Sequence, residues 1–371
     1  MRKDILSRQK KAMAEAGLEV LIATSPENFT YTTGFVVPSQ SLMRWRHAMA
    51  VMTRNGLQAL IVVDMEESTV RSRLPEAPIR VWREFEDHPM ETLGRFLEDL
   101  GARSACIGIE MDHLPAGDLE RLKRLLPEAR FQAAEGLFNR LRQQKTPGEI
   151  ELMRRLSRIT AQSIGGALKS VRAGMTEMDL AAALLKEIYS RGAENFKLMI
   201  VATGERSEFP NVGPTHRVLR RGDPCRVEIF GIIGGYHAAV CRTAVVQEAS
   251  PEVERIWRHL IECKALVLDM IRPGADTRRI YETFLSKFSE LNLPPISFVG
   301  HGIGLQLHEE PYLGGNRDSR LDAGMVLGVE PLVYGWGRGF GLQIKDMVLV
   351  TSNGCEVLSD RTMNDELIII P

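Results

Sequence analysis

The sequence predicts an α/β protein in two parts, residues 1–140 and 141–371, with the second part of α+β character. Three observations carry this. The first part alternates short apolar runs with amphipathic helical ones. A Thr-Pro pair at Thr146-Pro147 then opens a long stretch of helical periodicity. The remainder is rich in glycine and in short strand-like runs.

In order along the chain, Ala14 to Thr24 reads as a helix ending near Gly17 and a strand beginning at Leu18. Further strands are expected over Ala48 to Met52, Ala59 to Val63 and Cys106 to Glu110. Helices are expected over Glu91 to Leu100 and Ala116 to Leu126, the second closed by Pro127. From Thr146 to Arg191 apolar residues recur at helical spacing, broken near Arg172-Ala-Gly-Met-Thr, where Gly174 ends one helix and Thr176 caps the next. Strands over Leu198 to Thr203, Cys225 to Gly231 and His237 to Gln247 follow, then helices over Pro251 to Ile271 and Thr277 to Leu291. Met325 to Ile370 reads mostly as strand. No internal repeat and no low-complexity tract is visible.

Composition narrows the function classes. With 371 residues, 44% of them hydrophobic, the chain can bury two sizeable cores. Its formal net charge is -1, with basic and acidic residues interspersed, so there is no footprint for nucleic acid. The N-terminus lacks the apolar core of a signal peptide, and no apolar run reaches roughly 18 residues, so neither export nor a membrane partner is expected. Five scattered cysteines without a CxxC pair, Cys106, Cys225, Cys241, Cys263 and Cys355, fit buried thiols in a reducing cytoplasm.

The chemistry is concentrated in an ordered series of motifs. These are Lys145-Thr-Pro-Gly-Glu-Ile-Glu-Leu-Met, Arg217-Val-Leu-Arg-Arg-Gly-Asp223, Gly235-Tyr-His-Ala-Ala-Val-Cys-Arg-Thr243, Gly300-His-Gly-Ile-Gly, His308-Glu-Glu-Pro, Gly324-Met-Val-Leu-Gly-Val-Glu330-Pro and Ile344-Lys-Asp-Met-Val-Leu-Val. Through them, residues from about Thr146 to Val357 resemble the pita-bread family of creatinase, prolidase, Xaa-Pro aminopeptidase and methionine aminopeptidase. The N-terminal half resembles the creatinase and prolidase branch, best at Ile107-Gly-Ile-Glu-Met-Asp-His113. The resemblance implies a creatinase-like α/β domain followed by a pita-bread catalytic domain.

Metallopeptidases of that family hold two ions through Asp, Asp, His, Glu and Glu. Carried onto this chain, the first Asp falls on Glu228 and the second on Ala239. The His falls on His301 and the first Glu on Glu330, while the bridging Glu falls on Lys345. A family His that assists proton transfer falls on Asn211, and another is kept as His308. Four negative charges become two, opposed by an ammonium, so neither a metal nor another cofactor is expected. A lone ion on Glu228, His301 and Glu330 would require Lys345 to be deprotonated or turned away. Taken without the motifs, Glu228 reads as a buried ion-pair partner of Lys345, and His301 as a turn residue. Arg242 and Asp346 read as scaffold charges, and His216 and His237 as rim or surface residues.

Creatinase works without metal on a C–N bond, and ectoine hydrolase opens a cyclic amidine; this chain shares their departure from the metal pattern. Creatine itself is not the expected substrate, because a carboxylate of creatinase becomes Cys241 and its Glu-His pair becomes Ile344-Lys345. The resulting expectation is a metal-independent hydrolase of an amidine or amide C–N bond in a small amino-acid-like substrate. His301 or His308 would serve as acid or base, Glu330 would orient the imidazole, and Glu228 would contact the substrate or attack it. Lys345 and Asn211 would bind substrate. The alternatives are a Xaa-Pro metallopeptidase with a reduced metal set and a non-catalytic binding module. The resemblance further implies a homodimer in which Arg44 and Trp45, in the stretch Phe35 to His47, help close the partner's site.

Overall fold

The structure is a computed structural model that describes residues 3–315, 318–359 and 365–371. The chain divides into two compact units, Met1–Arg142 and Gln143–Pro371.

The first unit runs α1 (Lys3–Glu15), β1 (Val20–Ala23), α2 (Pro26–Thr33), β2 (Met49–Thr53), β3 (Gly56–Val63) and α3 (Glu67–Arg73). It continues with β4 (Ile79–Trp82), α4 (Pro89–Asp99), β5 (Cys106–Ile109), α5 (Ala116–Leu125) and β6 (Arg130–Ala133), and α6 (Glu135–Gln143) leads out of it. Its strands form one mixed sheet in the order β4-β3-β2-β1-β5-β6. Strands β1 and β5 are buried throughout, which explains their unbroken apolar sequences. Sequence periodicity missed α2, whose residues Asn28 to Thr33 are all buried, so no polar face marks it as a helix. It also missed β6, which is largely exposed.

The second unit begins with α7 (Pro147–Ser170) and α8 (Glu177–Ser190), followed by β7 (Asn195–Thr203), β8 (Pro224–Ile233) and β9 (Tyr236–Val246). It then repeats the plan with α9 (Pro251–Met270), α10 (Thr277–Glu290), β10 (Phe298–Gly302), β11 (Glu309–Gly314) and β12 (Val326–Val329). Short strands close it: β13 (Leu332–Val333), β14 (Leu342–Gln343), β15 (Asp346–Val350), β16 (Cys355–Val357) and β17 (Ile368–Ile370). One sheet has the order β17-β9-β8-β7 and another β11-β10-β12-β15-β16, with β13 and β14 forming a separate pair. An apolar core joins α9 and α10 to the second of these sheets through Trp257, Phe284, Phe288, Val299, Leu327 and Val348.

The structure corrects the expectation that the chain lacks a repeat. Val171-Arg-Ala-Gly174 and Ile271-Arg-Pro-Gly274 occupy equivalent turns between paired helices. Both glycines have positive φ, and each donates its N–H to a carbonyl of a later segment, Leu219 and Leu321 respectively. The following helices are capped by Thr176 and Asp276. Too few side chains are shared for the repetition to show in sequence, whereas the turn geometry preserves it.

Thr146 opens α7 through a reciprocal capping box, accepting from the Glu149 N–H while the Glu149 carboxylate accepts from its own N–H. The same carboxylate accepts from the Tyr236 hydroxyl at 2.5 Å, tying the start of α7 to β9. Among the described residues no helix is long and apolar enough to cross a membrane.

Candidate active site

Alternation along β8 puts Arg226, Glu228 and Phe230 on one face, and all three line a cavity of about 310 Å³. Across the pairing with β9, Glu228 stands opposite Cys241 and Phe230 opposite Ala239. Lys345, between β14 and β15, reaches the same face because its backbone exchanges hydrogen bonds with Cys241 at 3.1 and 3.2 Å. Glu330 follows directly after β12, and His301 lies on β10 beside a register shift. The glycines around His301 are explained by crowding. A Cβ at Gly300 would stand 2.7 Å from the Gly328 carbonyl oxygen, and one at Gly302 2.4 Å from that of Glu310.

The cluster is a charge network. Lys345 is 1% exposed, and its Nζ lies 3.2 Å from Glu228 Oε1 and 3.1 Å from Glu330 Oε2. The Phe230 ring centroid is 4.7 Å from the same nitrogen. Burial alone would lower the Lys345 pKa, but Glu330 and Glu228 outweigh it and raise it, so the ammonium is retained. Burial pushes Glu330 upward, yet Lys345 and His301 together hold it at about 2. Gln343 donates to both carboxylates, at 3.2 Å to Glu228 Oε2 and 3.0 Å to Glu330 Oε2. Its carbonyl oxygen accepts from Arg226 at 3.5 Å. Burial lowers the Arg226 pKa, opposed by Cys241, Glu228 and Glu330.

The histidines differ in setting. His301 is fully buried; its Nδ1 donates to the Gly302 carbonyl at 2.8 Å. Its Nε2 stands 3.0 Å from Glu330 Oε1, off the line of a well-formed hydrogen bond. His308 stacks on His301 with ring centroids 3.6 Å apart and lines the cavity with one edge exposed. Partial burial, then the neighbouring His301 and Lys345, lower its pKa and favour neutral imidazole. Asn211 also lines the cavity and is exposed.

Thus Glu228, Glu330, Lys345, His301, His308 and Asn211 come together, and the ion pair read from sequence between Glu228 and Lys345 is present. Arg44 and Trp45 lie on an exposed segment of the first unit, where the Trp45 indole donates to Glu84 at 3.4 Å. His237 departs from expectation: it is buried in β9, with Nδ1 3.1 Å from the Gly304 carbonyl oxygen, because that whole strand is covered. Arg242 and Asp346 form a buried pair at 2.6 Å that Lys264 joins at 3.0 Å. Sequence reasoning missed Arg226 and Gln343, which occupy none of the family's ligand positions. Their strand alternation with Glu228 and Lys345 was the signal that could have found them.

The profile of metallopeptidase family M24 matches residues 151–352, and that of the creatinase/prolidase N-terminal domain matches residues 6–144. The chain belongs to family M24. It is 29% identical to the probable dipeptidase PepE of Mycobacterium tuberculosis over 366 residues, covering 97% of this chain and 94% of the relative. It is 26% identical to the ectoine hydrolase of Halomonas elongata over 387 residues, covering 96% and 94%. The solved Xaa-Pro dipeptidase of Bacillus anthracis superposes with a TM-score of 0.86 at 25% identity, covering 99% of each chain. This M24 protein has the creatinase-like N-terminal domain and pita-bread fold, and is a hydrolase of C–N bonds.

The two-ion site that the family name implies does not fit these residues. Lys345 places its ammonium between the two carboxylates, engaging both. Ala239 contributes only a methyl group, and its N–H meets the Met347 sulfur at 3.3 Å. Two divalent ions would meet a fixed positive charge and too few anions.

Proposed function

We propose that this M24 protein is a metal-independent hydrolase of an amidine or amide C–N bond in a small amino-acid-like substrate. The observation that carries this reading is the buried Lys345 ammonium paired with both Glu228 and Glu330. It supplies the positive charge that an ion would otherwise bring, and keeps Glu330 anionic. His308, neutral and facing the cavity, is suited to take a proton from water and return it to the leaving nitrogen. Glu330 orients His301 behind it, and Glu228, with each oxygen already engaged, is suited to hold a cationic amidine rather than attack it. Asn211 at the rim offers an amide to the substrate. Glutamine at position 228 should therefore raise KM for a cationic substrate more than it lowers kcat.

A second reading is favoured by one observation: ligand atoms of His301, His308 and Glu330 lie within 4.8 Å of one another and could hold a single ion. Turnover of cyclic amidines, cyclic amides and Xaa-Pro dipeptides, with metal content measured on the same sample, separates the two. Turnover that survives chelation with substoichiometric metal supports the metal-independent reading. Loss on chelation with rescue by manganese or cobalt overturns it in favour of the single-ion peptidase, and binding without turnover overturns both.

The reading includes a homodimer in which Arg44 and Trp45 of one subunit help close the other's cavity, supported by the exposure of Leu42, Trp45 and Phe85 on the first unit. It also includes a reducing, cytoplasmic setting, supported by the four buried thiols of Cys106, Cys225, Cys241 and Cys263.

A further inference from the structure

The buried cations of the second unit fall into two kinds. Lys345 meets two carboxylates, Arg242 and Lys264 share Asp346, and Lys145 meets Glu309 at 3.2 Å. Arg226 is the exception: it is fully buried, yet among the described residues no carboxylate stands within ion-pair distance of it. Its Nη2 donates instead to the carbonyls of Phe209 and, at 2.9 Å, Pro210, and its Nη1 makes the 3.5 Å contact to Gln343 Oε1. A buried guanidinium without an anion is costly, and the two segments that these bonds hold account for its presence.

The first segment is the rim of the cavity. Phe209, Pro210 and Asn211 are exposed, and Pro210 and Asn211 line the cavity beside Arg226. Upstream, Glu208 fastens the chain to the connection between β13 and β14, accepting from the backbone N–H groups of Gly335 at 3.0 Å and Arg338 at 2.9 Å. Downstream, the Gly213 carbonyl accepts from Arg206 at 2.6 Å, and the Thr215 N–H donates to Glu177 at 2.9 Å. Between these points only Arg226, among the described residues, donates to the stretch. Pro210 lacks an N–H and keeps Phe209 extended, at φ -91° and ψ 127°, so the helical turn of residues 204–208 cannot continue through it. The second segment is β14. With its Oε1 facing Arg226, the Gln343 amide turns its NH₂ group to Glu228 and Glu330.

We infer that Arg226 is a positioning residue, which holds rim residues 209–211 from beneath and fixes the Gln343 amide toward the two carboxylates. Its bearing on substrate, through Asn211 and Glu228, rests on the reading of this cavity as the substrate site. The hold on the rim is measurable with no substrate present.

The test is hydrogen–deuterium exchange of the full-length protein without ligand, read by mass spectrometry, together with the melting temperature. In R226Q, the amides of residues 209–213 should exchange at least about tenfold faster, as expected for the loss of charged hydrogen bonds. Exchange in β8 and the melting temperature should stay as they are, because removing an unpaired buried charge offsets the bonds lost. R226K keeps the charge and one donor nitrogen but not the fork, and should fall between R226Q and the unaltered protein. Rim exchange in R226Q at the unaltered rate would overturn the inference. So would acceleration that β8 shares with a fall in melting temperature, which marks a scaffold charge. If R226Q does not fold, R226K decides: faster rim exchange over an unchanged β8 supports the inference, and the unaltered rate overturns it. Neither metal nor substrate enters this measurement, so its failure is distinct from a failure of the proposed reaction.

Discussion

Lys345 and His308 test the site one side chain at a time. K345E would restore a carboxylate beside Glu228, Glu330 and His301, and with it a cage of oxygen and nitrogen donors. Its expected outcome is stoichiometric uptake of manganese or cobalt, measured by elemental analysis, with a melting temperature that depends on the ion. H308A should lower kcat by about 10²- to 10⁴-fold while leaving the melting temperature nearly unchanged, because the ring has an exposed edge and only stacks on His301. The lowered His308 pKa also fixes a pH sign. Its neutral form persists below the ordinary histidine value of about 6.5, so the acid limb of kcat/KM should lie below that value. His301, His308, Glu330 and Lys345 were legible in sequence because they sit inside ordered motifs, and Glu228 because of its spacing from the motif ending at Asp223. Arg226 was not, since an arginine within an apolar run looks the same in sequence whether it is a scaffold charge or a cavity wall; its alternation with Glu228 along β8 was the signal that separates the two.

Secondary-structure elements set how closely these groups approach. A Cβ at Gly328 would stand 3.0 Å from Lys345 Cε and 3.5 Å from the His301 ring. G328A should therefore displace the ammonium by a few tenths of an ångström and lower turnover roughly tenfold, with folding followed by circular dichroism as the control. At the other end of the unit, T146A removes half of the capping box on α7 and should cost about 1 kcal/mol in urea unfolding. Elements with a strong period and a capping residue, such as α7, α8, α9 and α10, were legible to within a few residues. Buried α2, exposed β6 and the glycine-rich β10 and β11 were not, because burial on all sides or on none erases the two-faced pattern, and glycines chosen for close approach carry no strand signal.

For the whole molecule, acid sensitivity follows from its buried carboxylates. Burial would raise Asp346, but Arg242 and Lys264 outweigh it and hold it at about 2, the same value as Glu330. Both lie below the unfolded carboxyl range of about 4, so the unfolded chain binds protons first as pH falls. The stability these groups contribute is full above about pH 5 and is lost progressively toward pH 2. Urea midpoints at pH 7, 5 and 3 should show this decline, and D346N should cost about 3–5 kcal/mol at pH 7 by leaving Arg242 buried without a carboxylate, while Lys264 keeps its pair with Asp365 and the decline flattens. The pairing of Arg242 with Asp346 was not legible in sequence, where both read as scaffold charges far apart in the chain.

Lys345, just before β15, is carried into the cluster by a reciprocal pair of backbone hydrogen bonds to Cys241 on β9, a bridge that joins two different sheets. A cation delivered in this way has no dissociation constant: dilution and chelators leave it in place, and no competing ion can replace it. It departs only when the sheets separate, so loss of the charge and loss of the fold are one event.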